Sequence, residues 1–321
     1  MQRRALLGTA LLALAGCQTV PAPAPPAAPP AAPAPVPGPL PAPLPGPLPA
    51  APAPAPAPLR PPRLGLALGG GAARGFAHIG VIQVLEEAGI RPDLVVGTSA
   101  GSLVAALYAH GKTGTELAAM ALTMDEAAIT DWGFPSRGLI RGEALARYVR
   151  EQTGGLPIEQ MKLPLGIVAT DLDSGAGVLF RRGDTGTAVR ASSSVPAVFQ
   201  PVKIGEREYV DGGLVSPVPV RYAREMGAEM VIGVDISTPP DGAATDGTMR
   251  LLLQTFAIMG KSINRYELRE ADVVLRPALV GVGSADFTAR VRAIRAGRET
   301  AQAQLGEIRR KLQQLARPAA G

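Results

Sequence analysis

The sequence predicts an α/β fold in which helices cover both faces of a mainly parallel sheet. Three observations predict it: short apolar strands alternate with helical segments, the first connections are short, and a glycine-rich turn follows the first strand. Strand–turn–helix units that return to the same sheet imply parallel strands joined by right-handed crossovers.

The first two strand–helix units mark the beginning of the folded domain, which we predict at residues 63–321. Ile79, Ile82 and Leu85 share one face of the first helix, and Gly89 and Gly111 end the two helices. The predicted elements are strand 64–68, turn 69–75, helix 76–88, strand 94–97 and helix 99–109.

The rest of the domain continues this alternation more loosely and contains no internal repeat. The predicted helices are 115–124, 142–152, 185–192, 219–226, 248–267 and 286–315. The predicted strands are 165–170, 177–180, 208–210, 230–234 and 273–275, and 237–247 is predicted as a loop.

The first sixteen residues have the pattern of an export signal, with a basic start followed by a short apolar run. The run ends in Leu14-Ala15-Gly16-Cys17, which resembles a bacterial lipobox, and Cys17 is the only cysteine of the chain. We therefore expect cleavage before Cys17 and attachment of lipid to it, with an ordinary signal peptide as the alternative. Gln18 follows where some lipoproteins retained at the inner membrane carry aspartate, so the resemblance favours the outer membrane of the cell envelope.

Residues 17–62 form a linker that begins with the cysteine and is rich in proline and alanine. Such composition favours extended polyproline II, which rises about 3.1 Å per residue, so the linker reaches on the order of 100 Å. It is either a stalk that holds the domain off the membrane or a disordered tail without a spacing role.

The charge of the chain excludes one class of partner. The formal net charge is +5 and falls by two when Arg3 and Arg4 leave with the signal, and no basic run with interleaved aromatic residues is present. We therefore expect no nucleic-acid partner. No stretch after the signal is long and apolar enough to predict a transmembrane helix.

Gly97-Thr98-Ser99-Ala100-Gly101 reads G-x-S-x-G between a predicted strand and a predicted helix, the outline of a nucleophile elbow. A serine needs a base, yet the chain has only two histidines, His78 and His110, and neither follows in the order of a Ser-Asp-His triad. His78 is more typical of a structural hydrogen-bonding residue. A carboxylate at a strand end is the other possibility, and Asp211, Asp171, Asp173 and Asp235 all meet that condition.

The glycine-rich turn has two interpretations. A dinucleotide site would need glycine where Arg74 stands, so that pattern fails. The turn is better interpreted as an oxyanion hole, in which backbone N–H groups of Gly69, Gly70, Gly71 and Ala72 face the developing negative oxygen. Arg74 either adds charge there, contacts a lipid phosphate, or caps the turn from the surface.

Three motifs together resemble the patatin-like phospholipase family: GGGAARG at 69–75, GTSAG at 97–101 and DGG at 211–213. The segments VATDLDSG (168–175) and ASSSVPAVFQPV (191–202) resemble that family as well, so the resemblance covers about 64–300. It implies a Ser-Asp dyad with Ser99 as nucleophile and Asp211 as base. The glycines that support the three motifs are Gly75, Gly97, Gly101, Gly212 and Gly213.

The resemblance implies a serine acyl hydrolase that acts on fatty-acyl esters such as phospholipids and needs neither metal nor cofactor. The alternatives are a thioesterase or general esterase for short acyl chains, and a non-catalytic lipid-binding lipoprotein. Ser192, Ser193 and Ser194 are predicted to end a helix near the site. Trp132 and Phe134 lie between two predicted helices, either as a lid that meets acyl chains or as an ordinary loop.

Overall fold

The computed structural model describes residue 38 and residues 59–131, 137–237, 247–283 and 285–318. The chain divides into two units, Met1–Pro54 and Ala55–Gly321, and every described helix and strand belongs to the second. The predicted signal, Cys17, nearly all of the linker, and Trp132 and Phe134 lie outside the described residues.

The described helices and strands alternate along the second unit. The α-helices are α1 (Phe76–Glu87), α2 (Ala100–His110), α3 (Gly114–Thr123), α4 (Glu143–Gln152), α5 (Thr185–Ser192), α6 (Val220–Glu225), α7 (Thr248–Glu267) and α8 (Arg290–Gln314). The strands are β1 (Leu59–Arg60), β2 (Leu64–Leu68), β3 (Leu94–Thr98), β4 (Gly138–Ile140), β5 (Leu165–Asp171), β6 (Gly177–Phe180), β7 (Ala197–Phe199), β8 (Val202–Ile204), β9 (Arg207–Asp211), β10 (Met230–Val234), β11 (Val273–Leu275) and β12 (Arg317–Pro318).

The central sheet has the strand order β11-β10-β2-β3-β5-β9-β8, with β6 also paired to β5. The pairs from β11 through β5 are parallel, whereas β6, β8 and β9 join as antiparallel strands. The prediction of a mainly parallel sheet is confirmed. Because the chain leaves β2 towards β3 and later returns to its other side with β10, the end of β2 is a topological switch point, where open α/β sheets bind ligands.

Helices cover both faces of this sheet, as the sequence predicts. Leu64, Leu66 and Leu68 of β2 join one buried cluster with residues of α1, α2 and α8, while Ala67 joins a second cluster with residues of α6. The alternation follows from the two-residue period of a strand, and burial of both faces accounts for the nearly continuous apolar sequence of β2. Within the described residues, none of the helices has the length and hydropathy to cross a bilayer.

The short strands β1, β4, β7, β8 and β12 were not predicted. They span two or three residues with mixed exposure, and only their pairing partners define them. Leu59 and Arg60 pair with the chain end at Arg317–Pro318, and the Arg60 guanidinium binds the Glu229 carboxylate at 2.6 Å. The described part of the second unit therefore includes paired residues before the predicted domain start at Arg63.

Candidate active site

Ser99 lies at the turn between β3 and α2 with a backbone φ of 52° and ψ of −124°. A positive φ is unfavourable for a residue with a side chain, and such strain persists only where the surroundings impose it. The turn holds the Ser99 hydroxyl at the first turn of α2, where the helix dipole favours negative charge. This is the geometry of the nucleophile elbow that the sequence predicts.

Two glycines allow α2 to approach the sheet this closely. A Cβ atom on Gly97 would lie 2.4 Å from the carbonyl oxygen of Gly101, and one on Gly101 would lie 2.1 Å from that of Leu68. Both distances are too short for any side chain. A Cβ atom on Gly75 would likewise lie 2.9 Å from the Cβ atom of Ala100. The glycines of the motifs therefore allow β3, the glycine-rich turn and α2 to pack closely together.

Asp211 ends β9 and is buried, with 6% of its surface exposed. The Ser99 Oγ donates a hydrogen bond of 2.6 Å to Asp211 Oδ2, and the Gly213 amide donates one of 2.6 Å to Oδ1. A Cβ on Gly212 would lie 2.2 Å from the Val168 carbonyl oxygen, so only glycine allows the chain to turn here. The structure thus brings the predicted nucleophile and base into contact.

Burial raises the pKa of Asp211 to about 6, although the hydrogen bonds from Ser99 and Gly213 act in the opposite direction. An ordinary aspartate, with a pKa near 3.8, would be a poor proton acceptor at neutral pH. Removal from water therefore makes this carboxylate a stronger base while leaving it ionised at pH 7.

The glycine-rich turn lies against the nucleophile, since a Cβ on Gly70 would be 3.1 Å from that of Ser99. The Gly69 amide donates to the Val234 carbonyl and the Gly70 amide to the Pro217 carbonyl. These two N–H groups are therefore not available to an oxyanion, which corrects the prediction for them.

The amides of Gly71 and Ala72 have no acceptor within the part of the chain that the structure describes. Ala72 has a φ of 50°, another strained backbone position. The amide of Ala100, the residue after the nucleophile, also has no acceptor among the described residues. The G-x-S-x-G motif is a signal for such a donor, which the sequence interpretation did not use.

The Arg74 side chain is buried, which corrects the prediction that it caps the turn from the surface, whereas contact with a lipid phosphate stays a prediction. It is 6% exposed and lines a cavity against α7, where the Asp235 carboxylate partly offsets the lowering of its pKa by burial. Arg74 is therefore neither a surface residue nor a lining residue of the apolar cavity next to Ala72 and Ala100.

The histidines are not placed as bases. His78 is fully buried and its Nε2 donates to the Gly69 carbonyl oxygen at 2.8 Å, which fixes the glycine-rich turn and leaves Nδ1 without a partner among the described residues. Burial lowers its pKa to about 4, so it is neutral at pH 7. His110 is at the opposite end of α2 from Ser99.

The serine segment at the end of α5 supports both members of the dyad, a role that the sequence did not identify. Ser192 Oγ accepts from the Ser99 amide at 2.8 Å and donates to the Val168 carbonyl at 2.5 Å. The Ser194 carbonyl accepts from the Asp211 amide at 2.9 Å. The only sequence signal was the run of three hydroxyls near the predicted site.

We expect Ser192→Ala to lower kcat and to destabilise the fold by about 1–3 kcal/mol, because the partly buried Ser99 amide would lose its acceptor and the buried Val168 carbonyl its donor. Urea unfolding and steady-state hydrolysis measure the two effects. Ser192→Thr retains the hydroxyl and is the matched variant. Equal kcat values for Ser192→Ala and wild type would show that the elbow holds its geometry without this bond.

An apolar cavity of about 70 Å³ is lined by Ala72 of the glycine-rich turn and by Ala100, the residue after the nucleophile. Its other lining residues are mostly aliphatic and aromatic, among them Phe76, Leu107 and Met120. Such a lining suits a hydrocarbon chain whose carboxyl carbon is held at Ser99. Among the described residues, no three His, Cys, Asp or Glu side chains form a metal-binding group.

Several known proteins resemble this chain. The chain matches the family model described as patatin-like phospholipase over residues 66–224. It is 38% identical over 188 residues to an uncharacterized NTE family protein of Mycobacterium tuberculosis, covering 58% of this chain and 52% of that protein. A second such protein of M. tuberculosis is 32% identical over 269 residues, with coverages of 75% and 46%.

A mammalian protein also matches: patatin-like phospholipase domain-containing protein 6 of mouse is 35% identical over 184 residues, covering 54% of this chain and 14% of that protein. The chain thus spans about half the length of the mycobacterial relatives and a small part of the mouse one. Among solved structures, VipD from Legionella pneumophila superposes with a TM-score of 0.54 at 14% identity, covering 77% of this chain and 67% of that one. This likeness concerns the fold alone.

Proposed function

Since this chain belongs to the patatin-like phospholipase family, we propose that it is a lipid acyl hydrolase that works through a Ser99–Asp211 dyad and an acyl-enzyme. The observation that carries the proposal is the 2.6 Å hydrogen bond from Ser99 Oγ to a buried carboxylate. The names of the matched family and of the mouse relative support a lipid substrate.

In the proposed first half-reaction, Asp211 accepts the Ser99 proton as Oγ attacks the carbonyl carbon of the ester. The Gly71 and Ala72 amides stabilise the oxyanion of the tetrahedral intermediate, each such donor being worth about 3 kcal/mol of barrier. Collapse of the intermediate breaks the bond to the alcohol or lysolipid, which leaves with the proton from Asp211.

In the second half-reaction, Asp211 takes a proton from water, and the resulting hydroxide attacks the acyl carbonyl. The bond to Ser99 Oγ breaks, Oγ takes the proton back from Asp211, and the fatty acid leaves. The same carboxylate serves both steps because Ser99 and the incoming water are each within its reach in turn.

The small apolar cavity favours a second candidate within the same chemistry. At about 70 Å³ it is far below the roughly 300–1,000 Å³ usual for a ligand site, which suits a short acyl chain of an ester or thioester. The ratio of kcat/KM for long and short acyl esters distinguishes the two candidates. A non-catalytic lipid-binding role is disfavoured because the dyad geometry is intact.

We further propose that Cys17 is lipidated and anchors the protein in the cell envelope, at the outer membrane. The support is the lipobox-like sequence before Cys17 and the proline-rich linker after it. Cys17→Ala should abolish incorporation of labelled fatty acid into the protein and move it from the membrane fraction to the soluble fraction. Labelling that persists in Cys17→Ala contradicts the anchor.

The dyad is tested with the full chain on mixed phospholipid micelles and with a fluorophosphonate probe. We expect the probe to modify Ser99 in wild type and in His78→Gln, in which the glutamine amide replaces the bond to Gly69. Ser99→Ala should lose labelling and fatty-acid release while retaining its circular dichroism spectrum. Release that continues in Ser99→Ala, or that is lost as completely in a folded His78→Gln, contradicts the proposal.

A further inference from the structure

Helix α7 leaves large apolar side chains in contact with water. Within this 20-residue helix, only Gly260, Asn264 and Glu267 are buried, so every described side chain of its first three turns is at least partly exposed. The exposed apolar residues are Leu251 (54%), Leu252 (36%), Leu253 (41%), Ile258 (54%) and Met259 (44%). Large apolar side chains exposed together on one helix in this way indicate an interaction site.

The charges of α7 are of one sign. Arg250, Lys261 and Arg265 are exposed, while the one acidic residue of the helix, Glu267, is buried and hydrogen-bonded to Ser216. Apolar residues combined with basic ones and no exposed acid are typical of helices that lie in the surface of an anionic membrane.

A cavity of about 950 Å³ opens beside the second half of α7 and is also basic. Lys261 and Arg265 line it together with Arg74 and Arg276, against a single acid, Asp235, which pairs with Arg276 at 3.3 Å. Several guanidinium and ammonium groups that line one cavity are suited to binding a phosphate.

Asn264 gives an independent indication of a ligand in the same cavity. Its side chain is 4% exposed, and neither its amide nitrogen nor its amide oxygen has a hydrogen-bond partner among the described residues. Buried amides are nearly always satisfied, so this residue has hydrogen-bonding capacity that a polar ligand would use. A headgroup with both a phosphate and hydroxyls supplies acceptors and donors for it.

We propose that α7 docks the domain on an anionic phospholipid bilayer, with its exposed leucines, Ile258 and Met259 among the acyl chains and a lipid headgroup phosphate in the adjacent cavity. The two features are neighbours on the surface, since Met259 of the apolar set and Lys261 of the cavity are two positions apart in one helix. This surface is separate from the Ser99–Asp211 dyad and does not depend on turnover, so the inference goes beyond the proposed hydrolase.

The test uses the full chain with Ser99→Ala, so that vesicles stay intact, and with Cys17→Ala, so that no native cysteine remains. A single cysteine is introduced as Leu251→Cys or Ile258→Cys and carries an environment-sensitive fluorophore. Val291→Cys, at an equally exposed position (54%) on α8, is the matched control. Emission and quenching by lipid-borne quenchers are recorded with phosphatidylcholine vesicles, with and without phosphatidylglycerol.

We expect a blue shift and quenching at positions 251 and 258 on vesicles that contain phosphatidylglycerol, with neither change at position 291. Lys261→Gln combined with Arg265→Gln should weaken vesicle binding by tenfold or more, whereas the same loss of charge by Arg295→Gln with Arg309→Gln should have little effect. Because the readout is local, attachment through the N-terminal residues does not mimic it.

Three results would overturn the docking proposal. The first is unchanged emission at both α7 positions in protein that sediments with vesicles. The second is an equal change on vesicles without phosphatidylglycerol. The third is a change in buffer alone that grows with protein concentration, which would assign the apolar face to a second copy of the chain. A failed hydrolysis assay leaves these readouts unaffected.

Discussion

Asp211→Asn is expected to abolish ester hydrolysis and, at pH 8, to increase the free energy of unfolding. Asparagine has nearly the same shape but takes no proton from Ser99, so we expect kcat/KM to fall by a factor on the order of 10³. In wild type, kcat/KM should rise with pH through a midpoint near 6, because only the ionised carboxylate acts as a base.

Asp211→Asn removes activity but is expected to increase stability at pH 8. The reason is that folding raises the pKa of Asp211 from 3.8 to about 6. A raised pKa means that the folded state holds the proton more tightly. The associated stabilisation is complete below pH 3.8 and is lost as the pH rises through 6. Above that pH the ionised carboxylate lowers the free energy of unfolding by about 3 kcal/mol, since one pKa unit corresponds to about 1.36 kcal/mol.

Urea unfolding of Asp211→Asn at pH 8 and pH 4 measures this cost. We expect the variant to be the more stable protein at pH 8 and the advantage to disappear by pH 4. Asp171→Asn is the control of opposite sign, since the Arg207 guanidinium lowers the pKa of Asp171 to about 2 and its carboxylate stabilises the fold at pH 8. An activity midpoint below pH 5, or a destabilised Asp211→Asn at pH 8, would contradict the role of burial.

Gly101→Ala is expected to destabilise the fold by about 3 kcal/mol or more, which is at the upper end for overpacking. The new Cβ would lie 2.1 Å from the Leu68 carbonyl oxygen, and backbone atoms of β2 have no room to yield. Helix α2 would have to move away from the sheet, taking Ser99 with it. The variant should therefore also lose hydrolysis.

Gly306→Ala is the matched control, because it lies in α8 with nothing within 4 Å of the new methyl group. Alanine is the better helix former by about 1 kcal/mol, so this variant should be slightly more stable than wild type. Urea unfolding followed by circular dichroism compares the two. Equal urea unfolding midpoints for Gly101→Ala and wild type would contradict the close contact between α2 and β2 at Gly101.

The sequence predicted most of the sheet and its long helices because local signals define them. Strands such as β2 and β10 are continuous apolar runs, and glycines mark the ends of α1 and α2. The motif glycines also predicted the elbow, because glycine is needed at positions where two backbone segments lie this close together. The resemblance to the patatin-like phospholipase family is confirmed by the family match.

The remaining features depend on partners far away in the chain. Gly69 and Gly70 look like the other glycines of the turn, and only the positions of Val234 and Pro217 reveal that their amides are occupied. Arg74 resembles the other arginines of the sequence, and only the fold shows that it lines a cavity together with residues of α7. Ser192 gains its role through contact with Ser99, 93 residues earlier. Periodicity carries no information about such pairings.

The dyad joins two residues that are 112 positions apart: Ser99 directly follows β3 and Asp211 ends β9, and both strands pair with β5. A ribosome adding roughly 5–20 residues per second makes the nucleophile on the order of ten seconds before the base. During that interval the growing chain has a serine elbow but no proton acceptor beside it. The proposed hydrolase therefore gains its base, and with it its activity, only when β9 takes its place next to β5.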